Sequence, residues 1–154
     1  NKVVLILGDN FFYGGGLFKN IKKAINSDKG ASIFTYKVSN PREYGVLEIK
    51  KGQVTKIIEK PKKPSSNLAI PGLYVYGKSV TKFAKNLKPS KRGELEITDL
   101  NNLYFMNNDI HIENLDEGIT WMDMGTFDSY LDASMFISSL EKRKGYQVYN
   151  PELK

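Results

Sequence analysis

Two aspartates sit where strand ends would put metal ligands. Asp9, in Gly8-Asp9-Asn10, follows the apolar run Val3-Val4-Leu5-Ile6-Leu7 and precedes Gly14-Gly15-Gly16. Asp123, in Trp121-Met122-Asp123-Met124-Gly125-Thr126, follows a second short apolar run. In open α/β sheets ligands gather outside the carboxyl ends of the strands. A carboxylate there suits Mg²⁺, a hard cation held by one or two carboxylates plus substrate phosphates. The same residues also suit plain turns: Asp9 can open one, and Asp123-x-Gly125-Thr126 reads equally as turn and helix cap. Glu59-Lys60-Pro61 pairs an acceptor for hydroxyls with a cation for phosphate, and Pro61 would stop a strand ladder there. It is also a common strand terminus. Arg92, in Arg92-Gly93-Glu94-Leu95-Glu96, offers a planar fork for phosphate or is an exposed loop charge. His111, between Ile110 and Ile112, is expected to face solvent and is given no role. Gly14-Gly15-Gly16 lacks the Lys-Ser/Thr of a P-loop. One histidine in that position makes no Ser-His-Asp set.

These side chains need strands and helices to place them. Residues 3–7 read as a strand buried on both faces, as in a parallel sheet. A domain rarely opens inside its own central strand, so sequence upstream of Asn1 is expected. Leu17, Ile21 and Ile25 recur at helical spacing. Residues 31–38 read as a strand, and 45–49 with 54–58 as a pair joined at Lys51-Gly52. A short strand at 72–76 leads to a helix capped by Ser79, with Val80, Phe83, Ala84 and Leu87 apolar. A helix over 97–106 turns Ile97, Leu100, Leu103 and Tyr104 inward. Strands follow at 110–115 and 119–122. Thr126 caps a last helix with Tyr130, Ala133, Ile137 and Leu140 on its buried face. Lys142, Arg143 and Lys144 precede Gly145, as the helix dipole and C-cap favour. The alternation predicts one α/β domain over residues 1–154, with a mixed, mainly parallel sheet flanked by helices.

Composition sets the outer limits. The chain has 154 residues, no cysteine and a formal net charge of +6. It has room for a real core, no disulfide and no thiolate metal site, which suits the cytoplasm. No apolar run approaches a membrane span, and no signal peptide is visible. The lysines are scattered, and no zinc finger, basic arm or RNA-binding aromatic pair accompanies them. Nucleic acid is therefore not an expected partner.

Four motifs in order carry a resemblance: Gly8-Asp9-Asn10-Phe11-Phe12-Tyr13-Gly14, Tyr44-Gly45-Val46, Glu59-Lys60-Pro61 and Trp121-Met122-Asp123-Met124-Gly125-Thr126. Ser66 to Tyr74 and Arg92 to Asp99 fill the gaps. The chain resembles the sugar-1-phosphate nucleotidylyltransferases, the bacterial glucose-1-phosphate thymidylyltransferases in particular, over nearly its whole length. The resemblance implies a partial nucleotide-diphospho-sugar transferase fold, Rossmann-like in type. It implies transfer of a nucleotidyl group from dTTP to glucose 1-phosphate, giving dTDP-glucose, the precursor of dTDP-rhamnose, and pyrophosphate. Asp9 and Asp123 would hold Mg²⁺, with Lys60 as the third catalytic residue. Asn10 would lie beside the metal and sugar, and the Gly45 amide, the Glu59 carboxylate and the Ile70 backbone would bind glucose hydroxyls. Lys60 and Arg92 would hold its phosphate. The family is usually a homotetramer with a feedback site, to which the last helix could contribute.

Two departures qualify the likeness. Pro71 stands where the family often has Thr. The family's Gly-x-Gly-Thr-Arg-Leu-x-Pro-x-Thr segment, which cradles the nucleotide, does not occur in residues 1–154, nor does the base-reading segment. The chain therefore reads as the C-terminal, sugar-phosphate half, expected to be inactive and marginally stable alone. A non-catalytic sugar-phosphate-binding or regulatory module, and a uridylyl- or cytidylyltransferase, stay open as alternatives.

Overall fold

The computed structural model describes residues 1–148. In chain order the elements are β1 (Val3–Ile6), β2 (Asn10–Tyr13), α1 (Leu17–Asn26), β3 (Ala31–Lys37), a 3₁₀ turn (Pro41–Glu43), β4 (Gly45–Lys50), β5 (Gln53–Glu59) and β6 (Leu68–Ala69). They continue with β7 (Leu73–Tyr76), α2 (Val80–Lys85), α3 (Ile97–Met106), β8 (Ile110–Asn114), β9 (Thr120–Asp123) and α4 (Phe127–Lys144). The strands β1-β7-β3-β6-β4-β5 form one sheet in that order, with β8 beside β3; β2 and β9 make a separate ribbon.

The sheet is mixed but not mainly parallel. Among the described residues only β3 and β8 run parallel; β1–β7, β3–β7, β3–β6, β4–β6 and β4–β5 are all antiparallel. The alternation of strands and helices in the sequence counts elements without giving their directions. Short returns decide those: a connection too short for a crossover leaves only an antiparallel neighbour. Between β4 and β5, Lys51 (φ 50°) and Gly52 (φ 78°) are both left-handed, the turn whose twist fits an antiparallel pair.

The other expectations meet mixed outcomes. β1 pairs with β7 alone, and its four side chains are between 38% and 51% exposed. It is an edge strand among the described residues, not one buried on both faces. Asn10–Tyr13, to which the sequence reading gives no element, is a strand. Ser79 has helical dihedrals and does not cap α2; its Oγ lies 3.0 Å from the Tyr104 hydroxyl. Tyr130 is exposed and Ala133 buried on α4, whose Phe136 packs edge-on against Phe11 and Tyr13 of β2. Thr126 caps α4 reciprocally with Ser129, and Gly145 (φ 70°) closes it.

The core lies on both faces of the sheet, as the period of two along a strand requires. Ala31, Ile33, Tyr74 and Tyr76 face Leu100 and Tyr104 of α3; Phe34, Leu73 and Val75 face Ala24 of α1. His111 does not simply face solvent. Its Nε2 lies 3.2 Å from Glu113 Oε2, and Lys23 (2.8 Å) and Asn20 (2.9 Å) donate to Glu113 Oε1. Burial pushes the Glu113 carboxyl up, but those donors outweigh it and hold the group below its ordinary range. At the far edge, the Asn102 side chain stands in for a missing strand: Nδ2 donates to Ile57 O (2.8 Å) and Oδ1 accepts from Ile57 N (3.0 Å). That ties α3 to β5, the strand that ends in Glu59-Lys60.

Candidate active site

The ribbon of β2 and β9 brings the two aspartates together. Asn10 sits opposite Asp123 in the ladder, and the Met124 amide donates to the Asp9 carbonyl at 2.7 Å. Both carboxylates line one cleft with Asn10, Gly45, Glu59, Lys60 and Ile70. Seven of the eight residues named from the sequence therefore converge. The Asp123 carboxyl is pushed above its ordinary range by burial first and by the Asp9 charge next, against the pull of the Gly125 amide and Lys60. A carboxylate raised by burial and by a neighbouring carboxylate fits a site for a dication, which removes the repulsion, with phosphate oxygens and water completing the shell. Among the described residues no cluster of three or more acidic, histidine or cysteine ligands exists, so a cation held here would need ligands from beyond these side chains.

Opposite the aspartates, β5 ends in the sugar-phosphate candidates. The Thr98 hydroxyl donates to Glu59 Oε2 at 2.5 Å, which fixes one carboxylate oxygen, and the other lies 4.0 Å from the Arg92 guanidinium. A Cβ on Gly45 would come within 3.1 Å of both Glu59 Oε2 and Thr98 Oγ1. A side chain at position 45 would press on this pair. Lys60 has φ 39°, a left-handed conformation that costs a residue with a Cβ about 1–2 kcal/mol. Its amide is held by the Tyr44 carbonyl at 3.1 Å. The Ile70 amide is already committed to the Gly45 carbonyl at 2.8 Å, so only its carbonyl is left for a ligand. Pro71 costs the site no donor, because the amide used here is that of Gly72, which donates to Asn10 Oδ1 at 2.8 Å.

Arg92 is the residue that does not join the cleft. Its guanidinium stands 3.0 Å from Glu94 and 3.5 Å from Glu96, and 4.0 Å from Glu59. It is a rim cation engaged by carboxylates. Sequence reasoning missed Trp121, Thr98, Tyr44 and Glu43 as lining residues. Trp121 and Thr98 lie within motifs already singled out, beside Asp123 and after Arg92, so proximity in sequence was the available signal. No chemical signal marked them.

The sequence profile described as nucleotidyl transferase matches residues 1–139. The chain belongs to that family. It is 47% identical over 149 residues to a glucose-1-phosphate thymidylyltransferase of Xanthomonas campestris pv. campestris (strain B100), covering 96% of this chain and 50% of that protein. It is 46% identical over 153 residues to the protein of that name from Mycobacterium tuberculosis (strain ATCC 25618 / H37Rv), covering 99% and 53%. A Bacillus anthracis crystal structure solved with sucrose, and named for the same activity, superposes with a TM-score of 0.76 at 36% identity, over 88% of this chain and 54% of that one. A UDP-glucose pyrophosphorylase bound to UDP-glucose superposes with a TM-score of 0.77 at 20% identity, which speaks for the fold alone. The chain spans about half the length of the curated relatives it matches. Within the family's mixed α/β fold, the described residues include no helix long and apolar enough to cross a membrane.

Proposed function

We propose that this chain forms the sugar-phosphate side of a glucose-1-phosphate thymidylyltransferase. In that reaction a phosphate oxygen of glucose 1-phosphate attacks the α-phosphorus of dTTP in line. The bond from that phosphorus to the bridging oxygen breaks, dTDP-glucose forms, and pyrophosphate leaves with the electron pair. Catalysis of this kind is positioning and charge neutralisation. Glu59, held by Thr98, accepts from glucose hydroxyls. The Gly45 amide and the Ile70 carbonyl offer backbone contacts beside it. Lys60 neutralises the sugar phosphate and keeps its attacking oxygen near Asp9 and Asp123. Arg92 reaches the phosphate from the rim by exchanging its carboxylate partners. Asp9 and Asp123 hold Mg²⁺, which supplies Lewis-acid charge at the phosphates when bound.

The observation that carries this reading is the meeting of Asp9 and Asp123, from opposite ends of the chain, with Glu59-Lys60 in one cleft. The choice of thymidylyl over uridylyl transfer rests on the names of relatives at 41–47% identity. A cytoplasmic homotetramer completes the reading; exposed Phe127, Tyr130, Leu131 and Met135 on α4 supply an apolar face for such contacts.

Calorimetric titration with glucose 1-phosphate tests the site. Saturable binding that is lost in Lys60→Ala is expected. A folded chain that takes up no glucose 1-phosphate would remove the reading.

A further inference from the structure

Asn10 was assigned above to the sugar and metal, but its hydrogen bonds give it a more definite task. Its Oδ1 accepts from the Trp121 indole Nε1 at 2.7 Å and from the Gly72 amide at 2.8 Å. Both partners are donors only, so the atom facing them must be the amide oxygen. That settles which way the amide points. Its Nδ2 then faces Asp9 and donates to Oδ1 at 2.8 Å. The indole cannot swing away, because Trp121 is only 8% exposed. Tyr44 packs on it at 4.9 Å between centroids, and Tyr36 meets it edge-on at 5.7 Å. Nor is there slack at Gly72, where an added Cβ would meet the Asn10 amide at 2.7–2.9 Å.

We infer that Trp121 is a positioning residue, whose indole N–H locks Asn10 so that the Asn10 amide orients the Asp9 carboxylate toward the cation and substrate phosphates. The inference rests on the metal reading above and adds a residue to it. A carboxylate free to rotate about its last torsions must be ordered each time it binds. One that accepts a fixed amide donor on one oxygen presents the other in a set direction. Partners of this kind, one step removed from the ligand, govern affinity for the ion. The remaining Nδ2–H of Asn10 is then a donor to substrate, and its oxygen, fully engaged, is not an acceptor. Trp121 thus does more than line the cleft.

The test uses Mn²⁺ alone as the probe, with the free-ion electron paramagnetic resonance signal as the readout, on wild type, Trp121→Phe, Asn10→Ala and the double variant. Phe keeps an aromatic wall and removes the donor. Trp121→Phe is expected to weaken Mn²⁺ binding by about tenfold. Asn10→Ala should weaken it at least as much, and the double variant no further than Asn10→Ala, because both act through one path. Wild-type Mn²⁺ affinity in Trp121→Phe would overturn the inference, as would additive losses or a loss of glucose 1-phosphate binding alone. Should Trp121→Phe not fold, Trp121→His, which retains a ring N–H, should bind Mn²⁺ nearly as wild type does; a full loss there counts against the inference.

A second measurement is independent of the ion. The chain has one tryptophan, so its indole N–H gives a single unambiguous nuclear magnetic resonance signal. In Asn10→Ala that signal should shift and its exchange with water accelerate. An unchanged indole signal would overturn the positioning role. If wild type binds no Mn²⁺, the metal reading falls, while the indole signal still decides whether Trp121 holds Asn10.

Discussion

At the residue scale the site is a set of groups held in place by neighbours that do no chemistry. Thr98 fixes Glu59, Gly45 leaves room for that pair, and Asn10 is fixed from two sides. Besides the left-handed Lys60, Asp123 beside the Asp9 charge is an arrangement that works against stability. A carboxyl raised by burial and by a like charge is ionised at neutral pH only at a cost to the fold. Asp123→Asn is therefore expected to raise the melting temperature of the metal-free chain at pH 7. Adding Mn²⁺ should raise the melting temperature of the wild type and leave that of the variant unmoved. A variant that melts below wild type in chelator would show that Asp123 is held by contacts outweighing the repulsion. Trading fold stability for a cation site is the usual bargain of a binding cleft.

At the element scale the decisive contacts are those that aim β5 and the β2–β9 ribbon. β5 is the outer strand of the sheet, and an outer strand has an unpaired row of backbone groups. Asn102 satisfies two of these at Ile57, only two residues before Glu59. Asn102→Ala should cost about 1–3 kcal/mol, because it leaves backbone groups of a buried residue without partners. It should also weaken glucose 1-phosphate binding, since Glu59 and Lys60 lose the anchor behind them. Denaturant melts and calorimetry on the same sample check both halves. An unchanged affinity beside a lowered stability would mean that Thr98 alone sets Glu59. Helix α4 was legible from its caps, because capping is local chemistry: Thr126 and Gly145 both do what their types predict. β2 was not, because Asn10-Phe11-Phe12-Tyr13 has no alternating pattern and becomes a strand only by pairing with β9.

At the scale of the whole molecule, the described residues leave one wall of the sheet open. β1 pairs on one side only and shows Val3, Val4, Leu5 and Ile6 half exposed. An apolar edge strand in this state invites pairing with other chains. The 154-residue chain is expected to self-associate with rising concentration. Val4→Lys with Ile6→Lys should suppress that by placing charge on the edge, at little cost in melting temperature, as read by light scattering and thermal melts. Equal association in the double variant would place the sticky surface elsewhere, with the apolar face of α4 the next to test.

Much of the site was legible in the sequence because its parts are short motifs at element ends, where residue type and position carry chemistry directly. Asp9, Glu59-Lys60 and Asp123 could each be named without coordinates, and the order of the motifs pointed to the family. Helix boundaries at 97–106 followed from a local periodicity. Strand direction did not, because pairing partners are chosen by long-range burial and by the lengths of the returns between strands. Nor did the place of Arg92 at the rim, where its carboxylate neighbours include Glu59 at the end of β5. Composition and spacing named the candidate groups; only the tertiary fold could decide which way each of them points. Orientation is set by contacts between residues distant in the chain, such as Trp121 with Asn10 and Thr98 with Glu59.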